Sequence, residues 1–170
     1  MVELKTIKPE AISSSLEMAK RYRLLGEPDE SESICLDILA VAPDHQEVLI
    51  TLPLALTDKF ADSGLNPSFD KARQTVDKLD SGYCKSYYSG IVFERRAKYH
   101  LRQSEPGSGS LAYEWFVNAM EAFDQAMEGC DPENQDAVLR WNSCARIINS
   151  RPDLGSDDIA TSETSMDAYE

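Results

Sequence analysis

The sequence predicts an all-α fold of seven helices. Apolar residues recur at helical spacing along most of the chain, alternating strand-like runs are nearly absent, and Pro and Gly break the pattern at short intervals. Pro9 sits at the first turn of a helix running to about Leu25, where Gly26 ends it. Pro28, Asp29 and Glu30 open a second helix carrying Ile34, Cys35, Ile38 and Leu39, which ends before Pro43. Asp44 is the expected N-cap of a third, through Val48, Leu49, Leu52 and Leu56 toward Phe60. A loop over Ala61–Pro67 precedes a fourth helix with Phe69, Ala72, Val76 and Leu79 on one face. The fifth covers Tyr83–Leu101, and Ser104–Ser110 has the composition of a flexible turn. The sixth runs from Leu111 to Met127, and the seventh from Glu133 to Asn149 with Val138, Trp141, Ala145 and Ile148 as its apolar stripe.

Composition narrows the function classes. The 170 residues are 42% hydrophobic and carry a net charge of −13, which repels nucleic-acid phosphates and anionic membranes. No run approaches the ~20 apolar residues of a membrane span. The charged start, Met1–Lys8, lacks an apolar signal region, so a cytoplasmic location is expected. Six acidic residues and one basic residue fall between Arg151 and Glu170. The domain reading is therefore a lead-in over 1–10, a helical domain over 11–150 and an acidic, flexible tail over 151–170.

Catalytic, cofactor and metal motifs are lacking: there is no Gly-rich phosphate loop, zinc-protease pair, nucleophile elbow or calcium loop. The expected sets of catalytic, cofactor-binding and metal residues are empty, and the chain reads as a non-enzyme. Cys35, Cys84, Cys130 and Cys144 show no paired or ligand spacing and read mainly as apolar fillers.

The helices pair as hairpins whose residues recur. Tyr22, Gly26, Ser31, Cys35, Ile38 and Pro43 mark the first unit, with Ala19 small in its first helix. The second has Leu49, Leu52, Pro53 and Leu56, then Ala72, Val76 and Leu79, with Pro53 expected to kink its helix. The third has Gly90 and Phe93, then Ala119, Phe123, Ala126 and Pro132. Small residues are needed where two helices approach closely, and a large residue one turn on fills the next layer. Ala19 and Pro53 lie one 34-residue period apart, and the extra length falls inside the hairpins.

This pattern resembles the tetratricopeptide (TPR) repeat family over Ala11–Pro132. The resemblance implies a right-handed α-α superhelix of three hairpins, with the seventh helix as its cap. It also implies a non-catalytic scaffold that binds a protein or peptide on the inner surface. By register that surface contains Glu17, Lys20, Arg23, Leu24, Thr51, Leu54, Asp58, Tyr87, Tyr88, Ile91, Arg95 and, from the cap, Arg146, of which Lys20, Arg23, Thr51, Leu54, Tyr87, Tyr88, Arg95 and Arg146 are the expected partner-binding residues. Lys20, Arg23, Arg95 and Arg146 make a basic track suited to an acidic partner, since Arg binds carboxylates through paired hydrogen bonds. Solvated charges are the plain alternative, and Tyr87 equally suits the core. The lysine and asparagine clamp of chaperone-tail-binding members is missing, because Leu16, Lys20 and Thr51 stand at its positions. Two other functional classes compete: a self-assembling structural protein forming homo-oligomers, and a regulatory module sensing a small ligand.

Overall fold

The computed structural model describes residues 2–60, 66–103 and 105–154, and these residues form an all-α arrangement. A 3-10 turn, Pro9–Ala11, leads into α1 (Ile12–Leu24). It is followed by α2 (Pro28–Val41), α3 (Gln46–Asp58), α4 (Asn66–Val76), α5 (Gly82–Arg102), α6 (Ser108–Met127) and α7 (Asp136–Ser150). Among the described residues no helix is long and apolar enough to cross a membrane.

Local chemistry explains the boundaries. Gly26 adopts φ 78°, so the Glu27 N–H reaches the Tyr22 carbonyl at 2.9 Å and the Gly26 N–H reaches that of Arg23 at 3.2 Å. This double bond pattern satisfies the last free carbonyls of α1. Pro28 occupies the start of α2, where a missing N–H costs nothing. Ser81 caps α5 by accepting from the Cys84 N–H at 3.4 Å.

Several expected boundaries move. The N-cap of α3 is His45 rather than Asp44, and its side chain makes no capping bond; the Asp44 carbonyl instead accepts from Gln46 Nε2. Helix α3 continues through Pro53. Of the loop expected over Ala61–Pro67, positions 61–65 lie outside the described residues, while Pro67 belongs to the first turn of α4. Ser108–Ser110 are helical, with Gly107 at φ 82° ahead of them. In α7 the buried residues are Ala137 and Cys144, with Trp141 and Ile148 packed beside them, so the core stripe is rotated one residue from that expected through Val138 and Ala145. The 137/141/144/148 set has the same helical spacing, and the thiol of Cys144 serves as the small apolar group. Burial pushes the Cys35 and Cys144 thiols up to about 12, which keeps both protonated.

The core has two clusters that meet at α5. Leu16, Ile38, Leu49, Leu56, Phe69 and Val92 belong to the first, which spans α1 to α5. Ile91, Phe116, Phe123, Ala126 and Cys144 belong to the second, between α5, α6 and α7. Each helix packs against the next in sequence, and α1 also contacts α3, α3 contacts α5, and α5 contacts α7. The odd-numbered helices are thus neighbours in series. Gly90 lets α5 approach α6: a Cβ there would stand 2.5 Å from Cε1 of the fully buried Phe123. Leu154 is 7% exposed and closes the second cluster, so the first residues of the tail, 151–154, fold back on the domain.

Candidate functional site

Charged residues bridge each junction in the series of odd helices. On α1, Lys20 Nζ donates to Glu17 and to Glu47 of α3, both at 3.0 Å. These bonds hold the Lys20 ammonium above its usual range and the Glu47 carboxyl below its own. One turn on, Arg23 Nε donates to Asp58 Oδ2 at 2.6 Å, again from α1 to α3. Asp58 Oδ1 accepts from Arg95 Nη1 at 2.6 Å, which joins α3 to α5. Arg95 Nη1 also donates to the Leu54 carbonyl at 2.8 Å and to Thr57 Oγ1 at 2.5 Å. Burial lowers the Arg95 pKa against the pull of Asp58, and the nearby Arg23 and Arg140 push the same way as burial.

The last junction rests on a buried acid. Glu94 is 1% exposed and accepts from Lys98 of its own helix and from Arg140 Nη1 of α7, the latter at 3.3 and 3.5 Å. Burial opposes the charge of Arg140, but Glu94 and the Tyr87 hydroxyl outweigh it and hold this guanidinium above its usual pKa. A carboxylate this deep needs such partners, because an unpaired buried charge is strongly destabilising.

Where α3, α5 and α7 meet, these groups line a cleft of about 300 Å³. Its charged lining is Asp58 and Glu94 against Arg95, Lys98, Arg102 and Arg140, two cations in excess within a chain of net charge −13. Arg102 is exposed and makes no ion pair among the described residues. A larger hollow of about 480 Å³ lies between α5 and α6, over Ser86, Ser89, Phe93 and Trp115. Among the described residues, no group of three or more His, Cys, Asp or Glu side chains is placed to hold a metal ion.

The partner-binding residues expected on this surface separate into four groups. Arg23, Leu54 and Arg95 come together at Asp58, and Lys20 lies one turn before Arg23 on α1. Thr51 is 5% exposed with its hydroxyl bonded to the Glu47 carbonyl, so it offers little to a ligand. Tyr87 stacks on Tyr83 at 5.6 Å and meets Tyr88 edge-on at 5.1 Å, and all three pack with Leu54 against the second core cluster. Burial raises the Tyr88 hydroxyl to about 12. Arg146 is exposed on α7 and does not line the cleft. Glu94, Lys98, Arg102 and Arg140 were not anticipated as site residues. Arg95, Lys98 and Arg102 share one helix face by their i, i+3, i+7 spacing, so that part of the signal was present in the sequence.

Comparison of the chain with protein-family models, with curated proteins and with solved structures yields no match.

Proposed function

We propose that the chain is a non-catalytic interaction scaffold, a short TPR-like solenoid that takes an acidic protein or peptide segment in the cleft between α3, α5 and α7. The observation that carries this reading is the surplus of cations in that cleft. Guanidinium groups recognise carboxylates in a fixed, forked geometry, and four cations in one depression favour an extended acidic segment over an isolated charge. Arg95 makes all three of its hydrogen bonds through Nη1, and Arg102 has no carboxylate partner among the described residues, so donors remain for a ligand. The ion pairs with Asp58 and Glu94 hold the remaining cations in place. Three hairpins in sequence order, with the odd helices in serial contact, support the solenoid reading. Ala19, Ser31, Ala72 and Ala119 are fully buried at the small positions, and Gly90 is also buried.

The test is calorimetric titration with an oligo-glutamate peptide and with an uncharged peptide of equal length. The acidic peptide is expected to bind selectively and to weaken with salt. Arg102→Gln should reduce its affinity about five- to tenfold, the scale of one solvent-exposed hydrogen bond of about 1 kcal/mol. Equal binding of both peptides, or no effect of Arg102→Gln, would sink the proposal.

A further inference from the structure

We infer that the hollow between α5 and α6 is a second binding site, shaped for a small planar anion and separate from the cleft of α3, α5 and α7. Ser89 lines the hollow and Lys98 lines the cleft. They stand nine residues apart, about two and a half helical turns, and so on opposite faces of α5. The hollow exists because small side chains meet across it. Ser86 and Ser89 of α5 and Ala122 of α6 all line it, where larger residues would close the gap. Its volume of about 480 Å³ falls within the range of pockets for drug-sized molecules, roughly 300–1,000 Å³.

Along α5 the lining runs from an aromatic residue, Phe93, back to a cation, Lys85, about 12 Å away along the helix axis. Phe93 and Trp115 meet with ring centroids 5.4 Å apart. Trp115 also sits edge-on to Phe69 at 5.3 Å, and the Arg96 guanidinium lies 4.1 Å from the Trp115 centroid. These contacts fix the indole before a ligand arrives, so little ordering is left to oppose binding. Among the described residues, Glu121 of α6 is the one acid in the lining, against Lys85 and, from α4, Arg73. The side chains of Arg73, Lys85, Ser86, Ser89, Asn118 and Gln125 make no hydrogen bond or ion pair among the described residues. An anionic group can therefore take these donors without breaking an existing bond. A flat hydrocarbon frame suits the rings of Phe93 and Trp115, and an acid at its far end suits Lys85. The chemistry that matches is an elongated aromatic acid.

Fluorescence titration of the full chain with toluidinonaphthalene sulfonate is the test, because this dye is a flat anion with its acid at one end and brightens on leaving water. Phenylnaphthylamine, an uncharged analogue, isolates the contribution of the acid. The sulfonate is expected to bind once per chain and about tenfold tighter than the uncharged dye. Lys85 is exposed, so Lys85→Gln leaves the fold intact. It should weaken the sulfonate about five- to tenfold and leave the uncharged dye unchanged. Ser89→Leu puts bulk into the hollow and should weaken both dyes about tenfold, with an unchanged unfolding transition confirming a folded chain. Arg102→Gln, on the opposite face of α5, should alter neither. No binding, equal affinity for the two dyes, or full sulfonate affinity in Lys85→Gln overturns the inference. Sulfonate affinity lost in Arg102→Gln and kept in Lys85→Gln puts the anion in the other cleft, which overturns this site and leaves the acidic-partner reading standing.

Discussion

Arg95 of α5 donates to Asp58 of α3 across 2.6 Å, and it does so beside Arg23, which reaches the other oxygen of the same carboxylate at the same distance. One acid therefore neutralises two cations from two helices. The side chains of Asp58, Arg23 and Arg95 are 28%, 24% and 23% exposed, between the weak surface pair and the costly buried one. Asp58→Asn is expected to destabilise the fold by about 1–3 kcal/mol in urea unfolding. Arg95→Gln should cost more than Arg23→Gln, because it also removes bonds to the Leu54 carbonyl and to Thr57 Oγ1. Equal costs would show that those two bonds contribute nothing.

Glu94 belongs to the same series of junctions but is far more deeply set, at 1% exposure. Glu94→Gln keeps the shape and removes the charge that Lys98 and Arg140 face. Both cations are partly exposed, at 33% and 41%, so they can turn to solvent and the loss is held to about 2–3 kcal/mol. Arg140→Gln in the Glu94→Gln background should cost much less than in the native chain. Additive costs in that double-mutant cycle would count against the pairing.

Helix existence was legible because the apolar spacing at Leu16, Ala19 and at Phe69, Ala72, Val76 carries it directly, and all five are buried. The close approach of α5 and α6 was legible too, from Gly90 and from Phe123 one turn after Ala119. The charged site was legible only in part. Periodicity assigns a charged residue to a helix face but not to a partner: Arg23, Asp58 and Arg95 all fall on the expected surface, but only the packing shows that Asp58 pairs with both arginines. Glu94 was missed because an acid beside Phe93 reads as solvent-facing, and only the packing of α7 brings Arg140 to it. The rotated stripe of α7 failed for a related reason, since Cys144 and Ala145 are both small and tertiary contact chose between them.

His100 gives the fold a pH response above the carboxylate range. Its pKa is lowered first by burial and then by Arg96 one turn before it, and Nε2 is enclosed without a partner among the described residues. Protonation therefore favours the unfolded chain. The stabilising contribution is fully present above the unfolded value of 6.5 and is lost as pH falls through the lower folded value. The depressed carboxyls of Glu47 and Asp153 act in the same direction but only below their own unfolded values of 4.5 and 3.8. Unfolding free energy should thus decline as pH falls below about 6.5, and His100→Gln should flatten that decline. An unchanged slope in the variant would assign the response elsewhere.

Gly90 tests the packing that fixes the third hairpin. Alanine is the better helix former by roughly 1 kcal/mol, so propensity alone predicts that Gly90→Ala stabilises α5. Contact predicts the reverse. The added Cβ would meet Phe123 Cε1, Cδ1 and Cζ at 2.5, 2.7 and 2.9 Å, and Phe123 is 0% exposed with Tyr87 against it at 6.0 Å. The ring has no solvent to swing into, so α5 and α6 must separate, and overpacking of this kind costs about 1–3 kcal/mol. Steric cost is the larger effect, and a lower melting temperature is expected. Gly82→Ala supplies the contrast, because a Cβ there meets nothing within 4 Å and should leave stability unchanged or slightly raised. Phe123→Leu in the Gly90→Ala background should recover part of the loss by making room for the methyl group. A Gly90→Ala chain as stable as the native one would mean that the α5–α6 approach is looser than the contact at Phe123 implies.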